Sequence, residues 1–131
     1  MAAVLLDTTV LIDLLRGRPA ALRRLRTLRE VGDSPYACAV NVEEIVRGLR
    51  RREEPAAHLL VGGLRIVPLD AEEGWRAGEW RRTFATRGLT LAQADCLIAA
   101  AALALGGRLA TGNPKDFPMP ELTVEHWPAG E

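Results

Sequence analysis

Near the N-terminus, the spacing of the apolar residues changes at a single carboxylate, Asp7. A continuous apolar run, residues 3–6, ends at Asp7, and the apolar residues that follow recur at helical spacing. A short continuous apolar run is typical of a strand buried on both faces, as in a parallel sheet. The change to a period near 3.6 predicts a strand–turn–helix unit with Asp7 at the end of the strand. Ligands bind beyond the carboxyl ends of strands in open α/β sheets, so Asp7 is the first candidate for a functional residue.

The same alternation of short apolar runs and amphipathic segments continues along the chain. Helix-starting capping boxes are predicted at Asp70–Glu73 and at residues 90–93, and Pro68 places its strand at a sheet edge. Four further strands are predicted, over residues 36–40, 64–69, 108–111 and 122–126. Six helices are predicted, the first ending before residue 17 and the others over residues 20–31, 42–52, 54–60, 70–88 and 91–105. Strands that alternate with helices predict a single domain over residues 1–131, a three-layer α/β/α fold with a mostly parallel sheet.

Composition places the chain among ordinary globular proteins and excludes little else. Of its 131 residues 48% are apolar and 26% charged, and its 17 basic residues balance its 17 acidic ones. Bulk charge therefore argues neither for nor against a nucleic-acid partner. The longest apolar stretch, residues 94–105, is too short to span a bilayer, and no basic segment precedes the first apolar run. We therefore expect no membrane association and a cytoplasmic protein, with residues 99–105 a candidate interface where they are not core.

The cysteines and histidines carry no pattern that predicts chemistry. Cys38 and Cys96 lack the spacing of zinc ligands and are expected to be reduced and buried. His58 and His126 have no partners in sequence that would form a nucleophilic site, and we expect both at the surface.

Four carboxylates stand among predominantly apolar neighbours, at or just past a predicted strand end or near a helix start. They are Asp7, Glu44, Asp95 and Asp116. An unpaired carboxylate in such a place costs several kcal/mol, and several together repel one another unless a cation joins them. Oxygen ligands suit Mg²⁺ or Mn²⁺, which activate water and stabilise an in-line displacement at phosphorus. The pattern therefore predicts an acidic metal site at one edge of the sheet.

Each of these acids also has a purely structural interpretation. Asp7 could cap the helix that follows it, Asp95 could pair with an arginine, and the other two are ordinary loop and helix acids when taken alone. Other acids are expected to be solvated or to cap helices: Asp13, Glu43, Asp70 and Glu72.

Four segments in order resemble the PIN-domain ribonucleases, and more narrowly the VapC toxins of bacterial toxin–antitoxin pairs. They are LLDTTVLIDLLRG, EEIVRG, LAQADCLIAAAAL and LATGNPKDF, and together they span almost the whole chain. The resemblance places the family's acids on the four carboxylates above and its glycine on Gly48. The chain departs from the family where Cys38 and Asn41 replace a common serine and threonine, and where Thr9 replaces a common asparagine or serine.

The resemblance implies an endoribonuclease that hydrolyses phosphodiester bonds in structured RNA, such as transfer or ribosomal RNA. It implies that Asp7 and Asp95 are the principal ligands of Mg²⁺ or Mn²⁺, while Glu44 and Asp116 complete the acidic group. It also implies a VapB-type antitoxin partner and a homodimer. Hydrogen-bonding residues expected to fix the carboxylates are Thr9, Asn41, Thr111 and Asn113. Basic residues near the motif ends are candidates for RNA contacts: Arg16, Arg18, Arg47, Arg50–Arg52 and Lys115.

Three other functions compete with this interpretation. A catalytically inactive PIN-like RNA-binding module would lose one or more acids, but all four positions are filled. A phosphotransferase of the haloacid-dehalogenase kind needs a second acid two residues after the first, where Thr9 stands. A purely structural α/β domain predicts that the four acids contribute to stability.

Overall fold

Five parallel strands form the centre of the molecule. The computed structural model describes residues 2–131. The strands are β1 (Ala3–Leu6), β2 (Ser34–Cys38), β3 (Arg65–Val67), β4 (Arg108–Thr111) and β5 (Thr123–His126). Their order is β3-β2-β1-β4-β5, and every neighbouring pair is parallel. Leu5 of the central strand lies opposite Tyr36 on one side and Leu109 on the other. The predicted parallel sheet is confirmed, and so is the edge position of β3.

Six α-helices cover the two faces of the sheet. They are α1 (Thr8–Leu15), α2 (Pro19–Glu30), α3 (Ala39–Arg47), α4 (Glu54–Gly62), α5 (Ala71–Ala85) and α6 (Gln93–Ala104). A single 3₁₀ turn, η1 (Pro114–Asp116), follows β4. Leu5 packs in a core with α5 and α6, whereas Val4 and Leu6 pack in a second core with α1 to α4. Successive strand residues point to opposite faces, so both faces of β1 are buried and the chain forms the predicted three layers.

Element boundaries differ from the sequence prediction where a side chain or a glycine ends an element early. β2 stops at Cys38, because the Asn41 side-chain oxygen accepts the Cys38 backbone N–H at 2.8 Å and starts α3. α3 ends at Arg47 rather than at residue 52, since Gly48 caps it. The arginines that follow lie in a loop in which Arg52 has a φ of 75°.

The two predicted capping boxes have different outcomes. At α5 the prediction is confirmed, because the backbone N–H of Asp70 donates to Glu73 at 2.8 Å. At α6 it is wrong, because the helix begins at Gln93 after Ala92, with no side-chain cap from Thr90.

Several expectations about burial are also resolved. Residues 99–102 are almost completely buried, so most of the candidate interface over residues 99–105 is core. Cys38 and Cys96 are free and buried, and His58 and His126 are exposed. Within residues 2–131, no helix is long and apolar enough to cross a membrane.

Candidate active site

The parallel sheet brings the four candidate acids to its carboxyl edge. Asp7 follows β1, Glu44 lies on the helix after β2, and Asp116 lies in the turn after β4. Asp95 lies in the first turn of α6. β1 is hydrogen-bonded to both β2 and β4, so the ends of these three strands are neighbours.

The electrostatics of Asp95 show that the four acids interact. Burial, and then the negative charges of Asp116, Asp7 and Glu44, raise the pKa of Asp95 to about 6. No Lys or Arg within residues 2–131 forms an ion pair with Asp95, Asp7 or Asp116. The arginine partner that a structural interpretation of Asp95 requires is therefore not found. The acids form a group of like charges without a matching protein cation, apart from the edge contact made by Arg47.

Two threonine hydroxyls fix the Asp7 carboxylate. Asp7 is 5% exposed, and its Oδ2 accepts from Thr111 Oγ1 at 2.7 Å and from Thr9 Oγ1 at 3.1 Å. Asp7 occupies the N-cap position of α1, but its side chain makes no capping hydrogen bond. Because both hydroxyls donate to Oδ2, neither of them occupies Oδ1, and the carboxylate is oriented without serving as a cap.

The loop after β4 fixes those threonines in turn. The backbone N–H of Gly112 donates to Thr9 Oγ1 at 2.9 Å, and that of Asn113 donates to Thr111 Oγ1 at 3.0 Å. A Cβ on Gly112 would lie 3.1 Å from the Ala129 Cβ and 3.2 Å from Thr9 Oγ1, so a side chain there would disturb this support. Gly112 was missed by the sequence prediction, since the close approach depends on the C-terminal segment. Asn113 acts through its backbone, and its side chain is exposed.

A separate hydrogen-bonded chain positions Glu44. Thr8 Oγ1 donates to Glu44 Oε1 at 2.7 Å and accepts from Asn41 Nδ2 at 3.0 Å. Asn41 is completely buried, and its side-chain oxygen accepts the Cys38 N–H. The sequence prediction included Asn41 but missed Thr8. The only sign of Thr8 in the sequence is that it is a second hydroxyl residue beside Asp7. Its contact with Glu44 depends on the approach of α1 to α3, which is a tertiary feature.

The basic candidates fall into different surroundings. Arg47 Nε donates to Glu43 at 3.1 Å and its Nη2 lies 3.9 Å from Glu44, and the hydrogen bond with Glu43 raises the pKa of Arg47. Lys115 is exposed beside Asp116. Arg16 lies at the far end of α1, about 14 Å along the axis from Asp7, and pairs with Glu53 at 3.1 Å. Of these three, Arg47 and Lys115 lie beside members of the acidic group.

Asp13 does not face solvent as the sequence prediction expected. It is 9% exposed, and its Oδ2 accepts the backbone N–H of Gly130 at 2.9 Å. Its role is to attach the C-terminal segment to α1, a contact between residues too distant in sequence for a local pattern to show.

The donor set of the acidic group fits a hard divalent cation. Among the described residues 2–131, no three His, Cys, Asp or Glu side chains are placed to hold one ion directly. Mg²⁺ retains several waters and binds directly to only one or two carboxylates, so it does not require such a trio. Oxygen donors and uncompensated negative charge, shown by the raised pKa of Asp95, favour this ion class. Asp7, Glu44, Asp95 and Asp116 are the residues that could hold it.

Comparisons with known proteins agree with this fold. The PIN domain family matches residues 4–118. Ribonuclease VapC10 of Mycobacterium tuberculosis is 34% identical over 117 residues, covering 88% of this chain and 86% of that protein. VapBC2 from Rickettsia felis, bound to a promoter DNA fragment, superposes with a TM-score of 0.85 at 22% identity, covering 95% of this chain and 98% of that one. VapBC-1 from nontypeable Haemophilus influenzae has a TM-score of 0.78 at 25% identity, with the same coverage.

The chain belongs to the PIN-domain family and, within it, to the VapC ribonucleases. The resemblance inferred from four short segments is thereby confirmed over almost the whole chain.

Proposed function

We propose that the chain is a divalent-metal-dependent endoribonuclease toxin that hydrolyses phosphodiester bonds in structured cytoplasmic RNA of the transfer or ribosomal class. The observation that supports this most is the group of four carboxylates around Asp95, which lacks a matching protein cation. Membership of the VapC ribonucleases supports the reaction class. The RNA class comes from the family resemblance.

The chain's own residues have distinct roles in this proposal. Asp7 and Asp95 hold the ion, and Glu44 and Asp116 complete the acidic group and orient the attacking water. A bound Mg²⁺ or Mn²⁺ supplies Lewis-acid stabilisation of negative charge on the phosphate. Thr9 and Thr111 fix the Asp7 carboxylate, while Thr8 fixes Glu44.

Basic residues must offset the repulsion between an acidic site and RNA. Arg47 and Lys115 lie next to Glu44 and Asp116 and are the proposed phosphate contacts at the site. Arg16 contributes from farther away and only where RNA displaces Glu53. Phosphate contacts position a substrate without reading its sequence, so these residues set affinity rather than the choice of bond.

A VapB-type antitoxin is the proposed inhibitor, and the chain pairs with a second copy of itself. A groove of about 570 Å³ between α3 and α4 includes Val46, which is 57% exposed. Its apolar lining is bordered by the arginines of residues 50–52, so it fits an amphipathic segment that carries acidic residues. The similarity to VapBC-1 supports a partner of this kind.

An RNA cleavage assay with mapped fragments tests the nuclease. We expect transfer or ribosomal RNA to be cut with Mg²⁺ or Mn²⁺ and not with EDTA. Asp7→Asn and Asp95→Asn should each lower the rate by about 100-fold or more, because ligand loss exceeds the effect of losing an outer-shell partner. Glu72→Gln, an exposed acid on α5, is the matched control and should cleave like the wild-type chain.

Two results would contradict the proposal. Cleavage that continues in EDTA, or in the Asp95→Asn variant with Mg²⁺, would contradict the proposed catalytic metal site. RNA binding without cleavage under any metal condition favours the catalytically inactive binding module.

A further inference from the structure

Residues 127–131 cross from the sheet to the helices beside the acidic group. β5 runs beside β4, and the Trp127 N–H extends this pairing by donating to the Thr111 carbonyl at 2.9 Å. Trp127 is buried and packs in the core that contains the apolar residues of α1. Farther along, the Ala20 N–H at the start of α2 donates to the Glu131 carbonyl at 2.9 Å. We call residues 127–131 the strap.

The middle of the strap lies against the hydrogen bonds that fix Asp7. The Ala129 methyl group occupies the space into which a Gly112 side chain would extend, since a Cβ on Gly112 would lie 3.1 Å from it. The Gly112 N–H donates to Thr9 Oγ1, and Thr9 Oγ1 donates to Asp7 Oδ2. Two residues, Gly112 and Thr9, therefore connect the strap to the Asp7 carboxylate.

Asp13 attaches the strap to α1 through a nearly buried carboxylate. Its side chain is 9% exposed, and no Lys or Arg within residues 2–131 forms an ion pair with it. A buried carboxylate without a cation destabilises a fold unless hydrogen bonds replace its hydration. Its Oδ2 accepts the Gly130 N–H at 2.9 Å. Packing of α1 alone would be served by an apolar residue, so the contact with the strap is what explains a carboxylate here.

We propose that the strap positions the Asp7 carboxylate for metal binding, and that Asp13 is the positioning residue that holds the strap in place. The inference rests on the metal site of the proposed function and adds a residue that is not a ligand of the ion. Asp13 lies six residues after Asp7, about 9 Å along the axis of α1, which is too far to share a ligand sphere. Its effect passes through the strap to the loop after β4, and from there to Thr9.

Release of the strap should loosen the loop after β4 without unfolding the sheet. Residues 129–130 are exposed, so freeing them uncovers little apolar surface. What is lost is the backing of Gly112, and with it the fixed direction of the Thr9 hydroxyl. Thr111 still donates to Asp7 Oδ2, so the carboxylate remains at the site with fewer constraints on its orientation. We therefore expect a folded protein that binds metal more weakly.

Calorimetric titration of Mn²⁺ into the full chain, without RNA, tests this expectation. Asp13→Ala removes the acceptor of the Gly130 N–H, and Mn²⁺ should bind about tenfold more weakly, the lower end of the range for loss of an outer-shell partner. Asp13→Asn keeps an acceptor oxygen and should bind Mn²⁺ within about threefold of the wild type. Asp70→Ala is the matched control, because it also removes a carboxylate that accepts a backbone N–H, and it should leave Mn²⁺ affinity unchanged.

The asparagine variant separates the strap from a simple effect of charge. Asp13→Ala and Asp13→Asn both remove the negative charge, so an electrostatic action of Asp13 on the ion would weaken binding equally in the two. A positioning role requires that only the alanine variant lose affinity.

Amide hydrogen exchange in EDTA follows the strap without metal or RNA. In Asp13→Ala the Gly112 amide should exchange about tenfold faster or more, because its local opening no longer has to displace the strap. In Asp70→Ala the Ala71 amide should exchange faster instead, with Gly112 unchanged. A variant that is merely less stable would accelerate the amides of β1 together with that of Gly112.

Release of the strap from its own side provides a second variant. Gly130→Pro removes the N–H donor, and proline cannot adopt the φ of 81° that Gly130 has. Because Gly130 is exposed, this change does not disturb the core. It should weaken Mn²⁺ binding as Asp13→Ala does. Combining the two substitutions should add little, since both break the same contact.

Three results would overturn the inference. They are a wild-type Mn²⁺ affinity in both Asp13→Ala and Gly130→Pro, an equal loss of affinity in Asp13→Ala and Asp13→Asn, and a Gly112 amide whose exchange does not respond to either release of the strap. A wild-type chain that binds no Mn²⁺ contradicts the proposed function instead. Hydrogen exchange then still shows whether the strap orders the loop beside Asp7, so the two failures are distinguishable.

Discussion

Asp7 and Asp95 belong to one acidic group but are held in different ways. Asp7 receives two hydroxyl hydrogen bonds on one carboxylate oxygen. Asp95 receives no hydrogen bond from any described residue, and burial and three neighbouring carboxylates act against its charge. The ionised form of Asp95 therefore destabilises the metal-free fold, and a bound cation would offset this loss of stability. The stability of the metal-free protein should report on this residue.

We expect Asp95→Asn to stabilise the metal-free protein at neutral and higher pH. The folded pKa of about 6 lies above the ordinary value of 3.8, so the penalty grows as pH rises between these values and is complete above the folded pKa. It should amount to about 1 to 3 kcal/mol after solvent screening. In EDTA at pH 8, Tm should rise by about 3 to 10 °C.

The pH dependence supplies the control for this measurement. The gain in Tm should disappear by pH 4, because the side chain at position 95 is then neutral in the wild-type chain as well as in the variant. Glu72→Gln should show no gain at either pH. An Asp95→Asn protein less stable than the wild type at pH 8 would support the purely structural interpretation of the acids.

Thr8 is expected to act on the reaction through Glu44. Thr8→Val removes the hydroxyl from Glu44 and leaves the buried amide of Asn41 without its acceptor, which costs about 1 to 3 kcal/mol of stability. We expect kcat to fall about 10- to 100-fold with KM nearly unchanged. Thr8→Ser retains the hydroxyl and should restore kcat to within about threefold of the wild type.

A merely structural Thr8 would behave differently in these assays. The valine and serine variants would then share one kcat once both are assayed below their Tm, and only the Tm of the valine variant would be lower.

The helix starts at α5 and α6 show how tertiary contacts override a local signal. Both sequences carry the capping-box pattern, yet only the box at Asp70 forms. Before α6, Leu91 is buried in the core and its carbonyl accepts from Arg81 Nε at 3.2 Å, and the helix starts two residues later at Gln93. Thr90 therefore lies outside the helix, where its hydroxyl cannot reach the first turn.

Asp70 and Thr90 form a matched pair for mutagenesis. Asp70→Ala should lower the free energy of unfolding by about 1 kcal/mol, because it removes a formed cap. Thr90→Ala should change it by less than about 0.5 kcal/mol. Urea unfolding measures both, and equal losses would show that Thr90 contributes to the start of α6 after all.

Strands were easier to predict from the sequence than the ends of helices. β1 is a central strand buried on both faces, so a continuous apolar run marks it without further information. The burial of Asp13, in contrast, depends on Gly130, a partner far along the chain. Local periodicity contains no information about such partners.

At the scale of the whole molecule, the position of Asp7 could be predicted because parallel strands all end at one edge. Any acid directly after such a strand is delivered to that edge, whatever the details of packing. Thr8 and Gly112 could not be predicted in this way. Their contacts depend on how α1 meets α3 and on where Ala129 lies, and neither follows from strand order.

The chain has no net charge, so its affinity for RNA depends on how local charges are arranged. Without metal, the four acids repel a phosphate backbone that Arg47 and Lys115 attract. Removing one negative charge with Asp95→Asn should therefore tighten RNA binding in EDTA by about two- to fivefold at low salt. This gain should shrink as salt rises, because screening weakens the repulsion.

Mg²⁺ should reverse this order. With a non-cleavable RNA, the wild-type chain holds the ion and gains affinity, whereas Asp95→Asn lacks a principal ligand and gains little. Fluorescence anisotropy in EDTA and in Mg²⁺ measures both states, with Glu72→Gln following the wild type in each. The variant is expected to bind RNA more tightly in EDTA, and the wild-type chain more tightly in Mg²⁺. This reversal requires that Asp95 repels RNA when it is ionised and binds metal when metal is present. Parallel responses of the two proteins to Mg²⁺ would contradict a ligand role for Asp95.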